Sequence, residues 1–289
     1  MLTSKAKSFY RLVKPGVLYG NVLTGIAGYL FAAAGDPNWR ELAAMTIGMS
    51  LVVGSACAMN NLLDRDIDSK MARTRLRPSV TEELSGLSMA VFSILLLVVG
   101  AFLLSIETNM LVVMIGLTGW LTYVWLYGAW TKRTTPYGTI TGSISGAMPI
   151  AGGYAAHSGQ VDIGMAILFL MIFFWQFPEF YSIAIYRRKE YSAAEIPVIT
   201  VARSIKTAIR HILLCAILYT LFTLAPTLLG YTGWVYFVVM LIFGIHWTWL
   251  AIKGLKAEDS EVWAKKMFRH AMINILVLCL MLSIGPLLP

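Results

Sequence analysis

The chain has 289 residues, 58% hydrophobic and 13% charged, with a mean hydropathy of +0.71. That balance excludes a soluble domain with an ordinary core and describes a polytopic membrane protein. The formal charge of +8 does not indicate a nucleic-acid partner, because the basic residues sit in short loops between apolar runs, where topology signals sit. Cys57, Cys215 and Cys279 lie singly inside apolar segments and define neither a disulfide nor a metal site.

Nine apolar segments of spanning or nearly spanning length follow one another: 17–34, 42–63, 86–106, 110–130, 138–156, 163–186, 208–229, 234–252 and 268–288. The fifth is rich in Gly and Ser and carries Pro149, so it is expected to lie buried among its neighbours. With a cytoplasmic N-terminus and nine spans, 22 of the 23 Lys and Arg fall inside and only Arg40 outside, leaving the C-terminus outside. The first apolar run is longer than the ~7–15 residues of a signal-peptide core, which argues against cleavage there. The two largest inside loops fall after spans two and six, a faint sign of two related halves.

Span two runs into Asn60-Asn61-Leu62-Leu63-Asp64-Arg65-Asp66-Ile67-Asp68. Asn60, Asp64 and Asp68 recur every four residues, so on a continuing helix they stack on one face. Carboxylates at that spacing repel, and a helix gains from them only when a cation sits between. Mg²⁺ suits the place, because it is usually held by one or two carboxylates together with water and substrate phosphates. Arg65, Lys70, Arg73, Arg75 and Arg77 follow and supply donors for phosphate oxygens. The stretch reads as a metal–diphosphate cradle at the membrane surface, with Arg65 and Asp66 off the ridge and solvated.

Near the end of span six, Glu179 is expected at membrane depth, where an ionisable group marks function unless it pairs with a neighbour such as Gln176. Beyond it lie Arg187, Lys189, Glu190 and Glu195. Glu190, crowded by basic residues, is the acid expected to complete the metal shell. Arg187 and Lys189 either hold phosphate or mark topology. Tyr123 and Tyr127 share a helical face ahead of Lys132 and Arg133, and serve either as an interfacial belt or as π faces that shield a carbocation. His157, His211, His246 and His270 have no ligand-spaced partner, and a hydrogen bond between helices is the expected job of His246.

Together with Lys14-Pro15-Gly16, Asn21, Arg73-Thr74-x-x-Arg77-Pro78, Tyr137-Gly138-Thr139, Trp175-Gln176-x-Pro178 and Lys189-Glu190-Tyr191, these blocks resemble the UbiA-type intramembrane prenyltransferases over nearly the whole chain. Within that family they are most similar to the heme-farnesylating branch. The resemblance implies one all-α domain over residues 1–289, a bundle of nine transmembrane helices with a lateral opening and a cytoplasmic-side cap. It implies farnesyl diphosphate as donor, heme B as acceptor and heme O as product, in a multi-pass plasma (inner) membrane protein. Carried onto this chain, Mg²⁺ would be held by Asn60, Asp64, Asp68 and Glu190. Arg73, Arg77, Lys132, Arg133, Arg187 and Lys189 would bind diphosphate, and Asn21, Tyr123, Tyr127 and Gln176 would line the substrates. An association with a terminal oxidase assembly that receives the product is a further expectation. Two departures stand out. The branch usually places His where Glu179 stands, and Gly or Asn where Glu195 stands.

Two other functions are weighed against this one. A related prenyltransferase would use another aromatic acceptor such as hydroxybenzoate. A transporter would place its carboxylates near the bilayer midplane and away from the basic clusters.

Overall fold

The computed structural model describes residues 4–289, and every regular element among them is helical. The long helices are α1 (Pro15–Ala33), α2 (Trp39–Leu63), α3 (Gly86–Glu107), α4 (Met110–Thr134), α5 (Gly138–Ser158), α6 (Ile163–Tyr186), α7 (Ile205–Leu228), α8 (Trp234–Gly254) and α9 (Ser260–Ile284). Eight of these are long and apolar enough to cross a bilayer; α5, in the place of the fifth predicted span, is long enough but not apolar enough to stand with them.

Local chemistry sets where the helices begin. Asn38, Ser85, Asn109, Asp162, Ser204 and Asp259 each accept a hydrogen bond from a first-turn backbone N–H, satisfying donors that have no partner inside the helix. Pro15 opens α1 at a position where its missing N–H costs nothing.

Neighbours in sequence pack as neighbours in space from α1 to α9, and α1 also contacts α5 and α9, which closes the ring. At the α1–α5 crossing a Cβ on Gly28 or Gly153 would collide with the backbone carbonyls of Ile150 and Gly25. Small residues therefore bring these two backbones together, and α5 is buried as its composition predicts. Two apolar clusters build the interior. One joins Tyr29 of α1 to Met45, Met49 and Val52 of α2, Leu104 of α3 and Val112 of α4. The other joins α6 to α9 through Trp175, Tyr219, Trp247 and Leu278. Both draw residues from α1 and α5, which stand between the two sets of helices.

At the end of the bundle where α2 stops, the segments after α2 and α6 pack on each other through Ile67, Met71, Ala194 and Ile196. Arg40 and Glu107 meet at the opposite end in a two-pronged ion pair, at 2.8 and 2.9 Å. The predicted role of His246 differs: its ring stacks on that of His270 in the adjacent helix, centroids 5.0 Å apart, with no hydrogen bond between them.

Candidate active site

Helix α2 ends at Leu63, and Asp64 (φ −87°, ψ 7°) turns the chain into a short helix, Arg65–Ser69. The four-residue ladder survives the turn, because Asp64 N–H donates to the Asn60 carbonyl at 2.9 Å and Asp68 N–H to the Asp64 carbonyl at 2.8 Å. Asn60, Asp64 and Asp68 are all buried, none more than 3% exposed.

Buried carboxylates demand compensation, and cations from distant segments supply it. Lys132 Nζ donates to Asp64 Oδ2 at 2.5 Å, and Arg77 Nη1 to Asp68 Oδ2 at 2.6 Å. Lys14 donates to Asn60 Oδ1. Thr74, whose hydroxyl bonds the Asp68 carbonyl at 3.0 Å, folds the Arg73–Arg77 turn back over the ladder. Arg133 takes both oxygens of Asp66, at 2.7 and 2.8 Å, and the Leu63 carbonyl at 2.7 Å, so it caps α2 from outside. That guanidinium holds the Asp66 carboxyl down to about 2.

The ladder opens on a cavity of about 850 Å³ that runs between α1, α2, α4, α5 and α6. Its polar end is lined by Lys14, Asn60, Asp64, Asp68, Arg73, Arg77 and Lys132. Tyr123, Tyr127, Gln176 and Glu179 line its middle, and Met49, Val52, Leu104, Val112 and Ile115 its apolar depth. Met49 lies fifteen residues before Asp64, about 22 Å along a helix at ~1.5 Å per residue. Asn21 faces the same space while its amide bonds the Val17 carbonyl at 2.8 Å. Gln176 Nε2 is engaged by the carbonyls of Ser143 and Ile172, at 3.0 and 3.1 Å.

Four expected residues, Arg133, Arg187, Lys189 and Glu190, stand apart from the cavity lining, Arg133 being committed to Asp66 and the Leu63 carbonyl instead of facing the diphosphate end. Glu190 pairs with Arg187 at 2.8 Å in the segment after α6, and Lys189 lies beside them. No three of His, Cys, Asp and Glu gather as a ligand set among the described residues, so Glu190 does not join Asp64 and Asp68. The basic crowding that made Glu190 attractive has instead supplied it with a partner one turn away. The alternative for Glu179, a pairing with Gln176, is not formed.

Other features have little trace in the sequence. Residues Thr122–Thr131 of α4 form a π-helix, a winding often found at functional sites, which carries both tyrosines with ring centroids 5.8 Å apart. Gly128 lets this segment approach the ladder, since a Cβ there would meet Asn60 Nδ2 at 3.1 Å. Lys14 reads in the sequence as a topology signal, yet it adopts left-handed backbone angles (φ 50°, ψ 70°) and buries its ammonium in the site, which lowers its pKa to about 8. Its trace is the Lys14-Pro15 pair, because Pro15 fixes where α1 starts and so where Lys14 points.

The donor set fits Mg²⁺. Asp64 Oδ1 is buried with no hydrogen-bond partner, Asp68 follows one turn later, and two carboxylates are what Mg²⁺ commonly uses beside phosphate. The transporter layout does not match, because both aspartates sit at or beyond the end of α2 and bond to the basic cluster.

A buried acid–base cradle that opens into a long apolar cavity inside a helical bundle is the architecture of an intramembrane prenyltransferase. The chain belongs to the UbiA prenyltransferase family, whose model matches residues 21–273. It is 40% identical over 283 residues to the protoheme IX farnesyltransferase of Salmonella arizonae, covering 98% of this chain and 96% of that protein. It is 41% identical over 278 residues to protoheme IX farnesyltransferase 2 of Pseudomonas putida, covering 96% and 94%. The fold matches that of a digeranylgeranylglyceryl phosphate synthase (TM-score 0.83, 18% identity, 98% of this chain and 99% of that one). It also matches a UbiA homologue from Archaeoglobus fulgidus bound to DMAPP and Mg²⁺ (TM-score 0.74, 13% identity, 96% and 99%).

Proposed function

We propose that the protein transfers a farnesyl group from farnesyl diphosphate to a vinyl group of heme B, giving heme O. The observation that carries the reading is the joining of one acidic, cation-lined cradle to one deep apolar cavity. The similarity to protoheme IX farnesyltransferases along almost the whole chain selects the donor and acceptor.

In this reading Asp64 and Asp68 would hold Mg²⁺ together with substrate phosphate and water, with Asn60 beside them. The ion would neutralise charge that develops on the leaving diphosphate. Lys132, Arg77, Arg73 and Lys14 surround that group with positive charge, and Arg133 fixes the turn that carries the aspartates. The apolar depth below Asp64 accepts the isoprenoid tail. Tyr123 and Tyr127 present π faces to the allylic cation and keep water from it. Gln176 and Glu179 line the cavity from α6, and in this reading they face the acceptor.

Membrane orientation follows from charge. The polar end of the cavity faces the cytoplasm, the N-terminus lies inside and the C-terminus outside, in the plasma (inner) membrane. Labelling single cysteines at positions 40 and 75 in intact cells tests this, with only position 40 expected to react from outside. Delivery of product to a terminal oxidase assembly is part of the same proposal.

The decisive assay incubates purified protein, Mg²⁺ and farnesyl diphosphate with heme B or with hydroxybenzoate. Farnesylated heme is the expected product. Product from the phenol alone would replace heme as the acceptor.

A further inference from the structure

We propose that Glu179 is the base that accepts the proton of the water added to the heme vinyl group, an inference that rests on the heme-farnesylation reading above. Three carboxylates line the cavity, those of Asp64, Asp68 and Glu179. Lys132 and Arg77 occupy the first two. Glu179 makes no hydrogen bond or ion pair among the described residues. It lies seven residues before the end of α6, about 10 Å into the bundle at ~1.5 Å per residue. A carboxylate at that depth is costly, and this one caps no helix and holds no neighbour. Gln176, one turn earlier, is by contrast committed to two backbone carbonyls.

The reaction has a place for such a group. As the bond between farnesyl C1 and diphosphate oxygen breaks, the terminal vinyl carbon gives its π pair to C1, and positive charge moves to the vinyl carbon attached to the porphyrin. A water oxygen bonds to that carbon and must shed one proton; nothing is oxidised or reduced by another reagent. Arg73, Arg77 and Lys132 are cations that cannot take it, and Lys14, Asp64 and Asp68 are engaged with neighbours at the diphosphate end. Glu179 takes the proton and later returns it to solvent. The released diphosphate is the competing base.

The test compares wild type with Glu179→Gln, which keeps shape and loses basicity, and Glu179→His, which restores a base. Consumption of farnesyl diphosphate and the mass of the heme product are followed together, with ¹⁸O-labelled water marking the added oxygen. Glu179→Gln is expected to form hydrated product about 100-fold more slowly, the lower range for a lost general base. It should still consume farnesyl diphosphate, yielding farnesol or a farnesylated heme lighter by one water. Glu179→His is expected to restore the hydrated, labelled product. Hydrated product from Glu179→Gln at the wild-type rate would assign the proton to diphosphate and overturn this inference alone. Wild-type protein that consumes farnesyl diphosphate without farnesylating heme would overturn the acceptor assignment and this inference with it.

Discussion

Lys132 Nζ stands 2.5 Å from Asp64 Oδ2, although 68 positions separate the two residues. The pair ties the end of α4 to the end of α2, with the lysine side chain 16% exposed and the aspartate 2%. Asp64→Asn is expected to cut turnover on the order of 10²–10³-fold, as loss of one preorganised charge does. It also strands a largely buried ammonium, a loss of about 3–5 kcal/mol in stability. Adding Lys132→Met should recover much of the melting temperature and none of the activity. Thermal unfolding in detergent and turnover on the same samples check both halves; an active Asp64→Asn protein would contradict the site.

The metal makes a separate prediction. Chelation of divalent cations is expected to abolish transfer and Mg²⁺ to restore it, because the two carboxylates repel a diphosphate unless a divalent cation lies between them. Asp68→Asn leaves a single carboxylate, and the Mg²⁺ concentration for half-maximal rate should rise at least ~10-fold. Turnover that survives chelation unchanged would remove Mg²⁺ from the proposal.

Much of this site is legible in the sequence. The recurrence of Asn60, Asp64 and Asp68 encodes one ridge, and local backbone bonds preserve it through a turn that the sequence does not announce. Caps such as Asn38 and Asp162 mark helix starts for the same local reason. What is not legible depends on side chains meeting across the fold. On charge alone Glu190 reads as a metal ligand, but across the turn it pairs with Arg187. Lys14 carries the same charge as Lys5 and Lys7, and only the backbone turn before Pro15 brings it to Asn60. The π-helix of α4 packs on Asn60 and α5, and no spacing of Tyr123 and Tyr127 announces it.

That packing is testable at Gly128. A methyl group there would stand 3.1 Å from both Asn60 Nδ2 and the Tyr123 carbonyl, closer than ordinary carbon contacts allow. Asn60 is held on its other side by Lys14, so it cannot yield freely. Gly128→Ala is expected to lower turnover about 10-fold or more through displaced ladder and tyrosines, an effect of misplacement rather than lost chemistry. Gly116→Ala, whose methyl would meet only Val52 Cγ1 at an ordinary 3.7 Å, is the control and should keep most of the rate. Equal rates in the two variants would show that the close approach at Gly128 does not matter.

Glu195 departs from the Gly or Asn that the family resemblance implies, and its backbone takes a conformation that suits those residues better. Its φ is +57°, the left-handed region where a Cβ crowds the following carbonyl at a cost of about 1–2 kcal/mol. The side chain does little to offset this, since it is 82% exposed and meets Lys70 at 3.4 Å, an ion pair of small worth in water. Glycine would remove the crowding while adding ~0.5–1 kcal/mol of chain entropy to be lost on folding. Glu195→Gly is therefore expected to raise stability slightly, by about 0.5–1 kcal/mol, and to leave turnover within twofold. Glu195→Val should do the opposite, because a β-branched residue fits that conformation worst. Melting temperatures of the two variants in one detergent decide the matter, and a glycine variant that melts below both others would place the benefit in the Lys70 contact instead.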